Sequence, residues 1–438
     1  MTALSPLVIK FGGAALADGG GVGKVCDVIE GAGERVIVVV SAHKGVTALL
    51  EECAKKAAGG SLDTDEVRVR HRGLLRELGL NPEFLDRHLF ELRQILVGIR
   101  HKGVLLAGEL DFVLSFGERL SARVVAAVLQ GRGKEATPVD AYDLGLTTDS
   151  CYGKARPLPG VAASLRESLA GIPGVPVVTG FLAKDGGGNL TTLGRNGSDL
   201  TAALVAAAVG AQRLVFFKSV KGIMSADPRV VKGTHLLEEL SLMEAAELAF
   251  HGADVLHPRA LEPLLHSRQQ GCEISVEVRD IGRPEVCGTR IGGVGRGTNV
   301  VGVTGCSRLE GLRVKSGAGG GLGALFALMH AHHVLPRVLS TSAEGVCVWA
   351  PEGAGLDGVG LELREQAQVL VPVASVAVVG GGAKAGAEAQ RLLAQAGLDV
   401  SFAALGDDRA SGVFLFEPGQ GARAMAVVHR GLFAKVGV

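Results

Sequence analysis

Leu7-Val-Ile-Lys-Phe-Gly-Gly13 and Val36-Ile-Val-Val-Val40 decide the fold class. The first is a short apolar run broken by two glycines, and Gly23 to Ile29 after it reads as helix. The second is an unbroken branched run, the pattern of a strand covered on both faces. Val175-Pro-Val-Val-Thr179 and Leu214-Val-Phe-Phe217 are of the same kind, separated by the alanine-rich helix Leu200 to Val209. Residues 45–133 place charged and apolar positions at helix period. Such alternation predicts an α/β fold, a mostly parallel sheet sandwiched by helices.

Past residue 297 the texture changes. The Gly-rich join Ile291-Gly-Gly-Val-Gly-Arg-Gly297 leads into a strand at Val300 to Val303 and a helix at Gly323 to His333. Strands follow near Val338-Leu339 and Val346 to Trp349. A second round has strands at Val373–Val379, Val400–Ala404 and Val413–Phe416, with a helix at Ala383–Ala396. Two successive β-α-β rounds suggest a duplicated α+β module. The predicted domains are therefore residues 1–293, 298–365 and 366–438.

Composition narrows the function. Lysine plus arginine and aspartate plus glutamate balance at 45 each, so no bulk field points to nucleic acid or to a membrane. Aromatics at 4% offer little base-stacking surface. The seven cysteines form no CxxC pair and read as reduced thiols of a cytoplasmic protein. The N-terminus lacks a signal-peptide pattern and no apolar run reaches membrane-span length, so a soluble chain is expected.

Four stretches carry candidate chemistry. In Lys10-Phe-Gly-Gly13, Gly12 and Gly13 let backbone N–H groups approach a phosphate, and Lys10 supplies a point charge. A tight turn with a surface lysine is the ordinary alternative. Ser41 and Thr47, in Ser-Ala-His-Lys-Gly-Val-Thr, suit a carboxylate or phosphate, or a helix N-cap. Glu118, in Phe116-Gly-Glu-Arg-Leu-Ser121, reads as preceding a helix, where it would bind an ammonium or simply occupy the first turn. Thr191-Thr-Leu-Gly-Arg-Asn-Gly-Ser-Asp199 offers the Arg195 fork for a carboxylate, with Ser198 or Asp199 as a cap. The His330, His332 and His333 cluster has no evident carboxylate or cysteine partner, and no residue is assigned to a metal.

Taken as a series, residues 1–290 resemble aspartokinases of the amino acid kinase family. The matching blocks run in order: Val8-Ile-Lys-Phe-Gly-Gly13, Val39-Val-Ser-Ala42 with Thr47, Gly117-Glu-Arg-Leu-Ser121, and Thr192 to Asp199. Gly222-Ile-x-x-Ala-Asp-Pro-Arg229 and Gly252-Ala-x-Val-Leu-His-Pro-Arg259 complete them. The resemblance implies paired C-terminal ACT modules and ATP-dependent phosphorylation of the L-aspartate side chain to 4-phospho-L-aspartate. It implies Mg²⁺ bridging the phosphates, and a homodimer or higher homo-oligomer joined through the ACT modules. Its partners would be small molecules, an amino acid and a nucleotide.

Lys10 would act catalytically with Gly12 and Gly13 at the transferring phosphoryl group, and Asp199 would organise the phosphate-binding lysine. Ser41, Thr47, Glu118, Arg195 and Ser198 would hold the amino acid, Arg195 on the α-carboxylate and Glu118 on the ammonium. Arg229 would face the nucleotide. The chain departs from the family at Ala14-Ala15, and at Lys218, Ser219 and Met224, where a Thr, an Asp and a Tyr contact the nucleotide. Asp254 replaces a phosphate-contacting lysine. A reshaped nucleotide pocket is expected, with Lys218 paired to Asp254 or to phosphate. Leu339-Ser-Thr-Ser342 keeps the flavour of an effector loop through Ser340, Thr341 and Ser342. Arg337 stands where lysine-sensitive relatives use an Asp, so weak or altered feedback is expected. The alternatives are a kinase of another acidic amino acid or nucleotide, and a non-catalytic regulatory or assembly homologue.

Overall fold

The computed structural model describes residues 6–33, 35–293, 299–315, 321–405 and 412–434. The chain divides into two compact units, residues 1–222 with 256–292, and residues 223–255 with 293–438.

In the first unit seven strands lie side by side. Their order is Ala136–Val139, Val175–Thr179, Val36–Val40, Leu7–Phe11, Arg213–Lys218, Ser275–Asp280 and Cys287–Ile291. The first six pair in parallel and the last antiparallel, which gives the mostly parallel sheet. All five residues of Leu7–Phe11 and of Val36–Val40 are buried. Their alternate positions serve different layers. Leu7, Ile9, Phe11, Val36, Val38 and Val40 join one core with the helices Gly19–Glu30, Val46–Ala58 and Ala107–Gly131. Val8, Lys10, Ile37 and Val39 therefore face the opposite layer, where the helix Gly197–Val209 packs. The stretch 45–133 is helical over Val46–Ala58, Asp65–Glu77, Asp86–Lys102 and Ala107–Gly131.

The second unit contains a six-stranded antiparallel sheet. Its order is Val338–Ser342, Gly345–Pro351, Val300–Lys315, Ala367–Gly380, Gly412–Phe416 and Phe402–Leu405. Each half repeats strand, helix, strand, strand, helix, the α+β pattern of two ACT-like modules, and their long first strands pair at the centre. The closing helix of each round, Leu356–Leu363 and Gly421–Phe433, extends the expected β-α-β unit. Most of the Gly-rich join lies outside the described residues.

Residues 223–255, read from the sequence as part of the first domain, group with this second unit. Ala226 and Val231 share a core with Val303, Val376, Met425 and Val428. The Val303 N–H donates to the Ser225 carbonyl at 2.8 Å.

Candidate active site

Parallel strands end together, and side chains just past their carboxyl ends face a common crevice. In register, Lys10 lies beside Phe216, and Phe11 beside Phe217 and Val40. Lys10 and Lys218, two rows further along the neighbouring strand, therefore point to the same face. The helix Gly197–Val209 covers that face, and Asp199 in its first turn receives both cations. Lys10 Nζ stands 2.6 Å from Asp199 Oδ1, and Lys218 Nζ 2.5 Å from Oδ2. The Asp199 side chain is 1% exposed and that of Lys10 6%.

Burial raises the Asp199 carboxyl, but the two ammonium groups outweigh it and hold the group below the usual carboxylate range. Burial lowers the Lys10 ammonium, and Lys218 pushes the same way against Asp199. Two cations on one buried anion leave a net positive charge at the strand ends. Such a site takes an anion.

The turn geometry explains how Asp199 gets there. Asn196 occupies the N-cap with φ 57°, and its side chain makes no cap bond. Ser198 and Asp199, candidate caps in the sequence, are instead the second and third residues of the helix, which frees Asp199 for the lysines. Gly180 allows the close packing, because a Cβ there would sit 2.4 Å from that of Ser198. Arg195 projects from the same turn, exposed to solvent.

Glu118 lies in the middle of the 25-residue helix Ala107–Gly131, not before a helix or in its first turn. The apolar run before it is part of that helix. Gly117 lets the helix close on the loop after Val36–Val40, since a Cβ there would meet the Ala42 Cβ at 2.7 Å. Oε1 accepts the Ala42 N–H at 3.0 Å. Oε2 is buried with no hydrogen-bond partner among the described residues. Burial pushes the carboxyl up to about 8, against the Ala42 hydrogen bond and the charge of Lys10. A group so placed can receive an ammonium.

The other candidates lie elsewhere in the first unit or in the second. Gly12 caps the short 3₁₀ turn Gly13–Leu16. The Ser41 N–H donates to the Phe11 carbonyl at 3.1 Å. Thr47 is in the first turn of Val46–Ala58, whose N-cap is Gly45 with φ 80°, so neither hydroxyl is the cap. Ser219 is exposed. Lys218 pairs with Asp199, and Asp254 is exposed in the second unit. Met224 and Arg229 are in that unit too, and Arg229 is forked onto Asp227 at 2.8–3.1 Å.

Arg337 stacks on Phe250, 4.4 Å from the ring centroid, ahead of the edge strand Val338–Ser342 that carries Ser340, Thr341 and Ser342. His332 has a carboxylate partner after all, Glu362 at 2.6 Å, brought near by the helix Leu356–Leu363. Among the described residues no group of three or more His, Cys, Asp or Glu side chains could hold a metal, and no helix is long and apolar enough to cross a membrane.

Two supporting residues went unremarked in the sequence. Arg259 donates to the carbonyls of Leu193 and Ala155, both at 2.9 Å, and so fixes the turn that presents Arg195. Asp111 accepts from the Thr192 N–H and hydroxyl and from the Gly153 N–H at 2.8–2.9 Å. The His257-Pro-Arg259 motif pointed towards the first, with His257 accepting the Arg259 N–H as N-cap of Pro258–Gln269.

Comparison with known proteins finds aspartokinases. A solved structure of Escherichia coli aspartokinase III with aspartate and ADP matches with a TM-score of 0.84 at 25% identity, over 98% of this chain and 99% of that one. The same protein with lysine and aspartate matches at 0.72 and 26% identity, over 98% and 100%. Aspartokinase 1, chloroplastic, of Arabidopsis thaliana is 35% identical over 65% of this chain and 51% of its own length. Lysine-sensitive aspartokinase 3 of Escherichia coli is 32% identical over 60% of this chain and 59% of its own length. The chain thus spans about half the length of the plant relatives it matches. The model of the amino acid kinase family matches residues 5–276, which hold most of the parallel sheet and the Lys10–Asp199–Lys218 centre, and the chain belongs to that family.

Proposed function

We propose that the chain transfers the γ-phosphoryl group of ATP to the side-chain carboxylate of L-aspartate, forming 4-phospho-L-aspartate and ADP. The observation that carries this is the pair of ammonium groups on Asp199 at the strand ends, with Glu118 and the Arg195 turn nearby. A carboxylate oxygen of the substrate attacks the γ-phosphorus as the bond to the β,γ-bridging oxygen breaks. The acceptor is already ionised at neutral pH and needs no general base.

Lys10, Lys218 and the Gly12-Gly13 turn neutralise the phosphoryl oxygens, and catalysis consists of positioning and charge stabilisation. Glu118 takes the substrate ammonium, Arg195 its α-carboxylate, and Ser41, Thr47 and Ser198 complete the acceptor site. The family resemblance puts Met224, Arg229, Ser219 and Asp254 at positions that contact the nucleotide. The described residues form no carboxylate cage for Mg²⁺, which would accompany the polyphosphate and supply charge neutralisation there.

A coupled assay over aspartate, glutamate and their analogues, with ATP and GTP, tests the assignment. Turnover confined to aspartate with ATP is expected, and Lys10→Ala lowers it on the order of 10²–10³-fold. A Lys10→Ala protein indistinguishable from the parent would favour a non-catalytic homologue. Arg259→Leu, which releases two carbonyls behind the acceptor turn, raises the KM for aspartate on the order of tenfold. Arg259→Lys, able to reach one carbonyl at a time, falls between; equal KM values in all three proteins would remove the role.

Regulation follows the same logic. Arg337, stacked on Phe250, offers no anion to an effector ammonium, so lysine and threonine inhibit weakly. Strong inhibition at physiological concentration contradicts this. Assembly as a homo-oligomer through the antiparallel sheet is supported by Leu361, Val369 and Val371, which are 76–80% exposed.

A further inference from the structure

Ser225 has no direct place in the chemistry above, yet it is fully buried and bonded at every polar group. Its N–H donates to the His235 carbonyl at 2.9 Å, and its carbonyl accepts the Val303 N–H at 2.8 Å. Its hydroxyl accepts the His235 N–H at 3.1 Å and meets His429 Nε2 at 2.9 Å. His429, 3% exposed, lies on the last helix, Gly421–Phe433, and its ring packs 4.6 Å from that of Phe433.

The bond therefore joins residues 204 positions apart in one unit. It also falls inside the segment that carries Met224 and Arg229. Met224 bridges to Leu236, and Ala226 and Val231 pack in the core formed with Ala424, Met425 and Val428. The segment thus packs against the last helix, and Ser225–His429 is a side-chain hydrogen bond that ties the two together. Burial and the nearby His235 lower the His429 pKa, which favours the neutral ring, and with the proton on Nδ1 its Nε2 accepts the Ser225 hydroxyl.

We propose that His429, acting through Ser225, is a positioning residue for the nucleotide: it fixes the backbone of residues 222–236 on which Met224 and Arg229 are carried. The inference rests on the proposed nucleotide role of that segment. It makes the C-terminal helix a determinant of nucleotide affinity, separate from the acceptor site.

The test is direct titration of the full chain with ATP and Mg²⁺, read alongside steady-state kinetics and thermal midpoints. His429→Leu weakens ATP binding about fivefold, the scale of one net hydrogen bond, while the KM for aspartate and kcat stay within about twofold. Ser225→Ala does the same, and the double variant is no weaker than either single one. His429→Gln, which keeps a hydrogen-bonding side chain, recovers part of the loss and guards against misfolding of the leucine variant. Unchanged ATP affinity in His429→Leu overturns the proposal. So do additive losses in the double variant, or a lowered thermal midpoint with no change in binding. A parent chain that binds ATP but phosphorylates no amino acid sinks the proposed reaction alone, and the titration still decides the role of His429.

Discussion

Asp199→Ala abolishes turnover and destabilises the first unit by about 3–5 kcal/mol, the range for removing one partner of a buried ion pair. The magnitude follows from what remains. Lys10 and Lys218 would face each other across a site from which water is largely excluded, with no anion between them. Asp199→Asn keeps the shape and loses the charge, so it separates packing from electrostatics. Charge counting then makes a sharper demand. Asp199→Asn combined with Lys218→Met restores the net single positive charge and should regain much of the stability lost by Asp199→Asn. Urea midpoints of the single and double variants check it, and strict additivity would show that the lysines do not share the carboxylate.

The pH dependence has a fixed sign. Asp199, with its folded pKa depressed, contributes stability that is present above the unfolded value and lost as pH falls through the folded one. Lys10 is lowered instead, so between its folded pKa and 10.5 the unfolded chain binds more protons and stability rises with pH. The same triad gives Lys218→Thr a functional effect distinct from Lys10→Ala. Lys218 is partly exposed and Lys10 is not, so losing Lys218 should weaken nucleotide binding more than it disturbs the fold.

The buried strands were readable because Val36–Val40 has no polar residue to turn outward, which leaves a two-sided sheet as its only economical setting. Lys10 stands out in the sequence for a local reason, the glycines that follow it. That Asp199 organises the lysine comes from the family resemblance alone, and its sharing with Lys218 depends on the register of Leu7–Phe11 with Arg213–Lys218 and the packing of a distant helix. Without that register the sequence offers Lys218 only Asp254 or a phosphate as partner, not Asp199.

Local rules also misplaced Asp199 as a cap, since a left-handed Asn196 is an uncommon way to start a helix. Glu118 reads as preceding a helix or opening one, whereas it lies mid-helix and Gly117 beside it is a contact point with Ala42. The grouping of residues 223–255 was invisible for a different reason. Ala226 and Val231 announce burial, but nothing local says in which core.

For Glu118 the expected result is a pH profile. In the free protein its carboxyl titrates near 8, so at pH 6 it is mostly neutral and cannot pair with a substrate ammonium. kcat/KM for aspartate should rise nearly tenfold per unit from about pH 6 towards 8 and then level off, because this ratio reports the free enzyme. kcat at saturating aspartate should vary far less, since a bound ammonium beside Oε2 favours the ionised form. Glu118→Gln flattens the rise and lowers the plateau on the order of 10–100-fold, the worth of a charge-assisted hydrogen bond. Stability moves the other way. A folded pKa above the unfolded value of about 4.5 means the folded chain binds the extra proton between the two, so stability falls as pH rises through that window. Glu118→Gln, with nothing to ionise, should gain on the parent as pH rises from about 4.5 to about 8, while being the poorer catalyst. A parent kcat/KM that is flat from pH 6 to 9, or a glutamine variant that loses stability relative to the parent over that range, would show that Glu118 is ionised before substrate arrives. Its buried, unpartnered oxygen would then need another explanation than a waiting ammonium site.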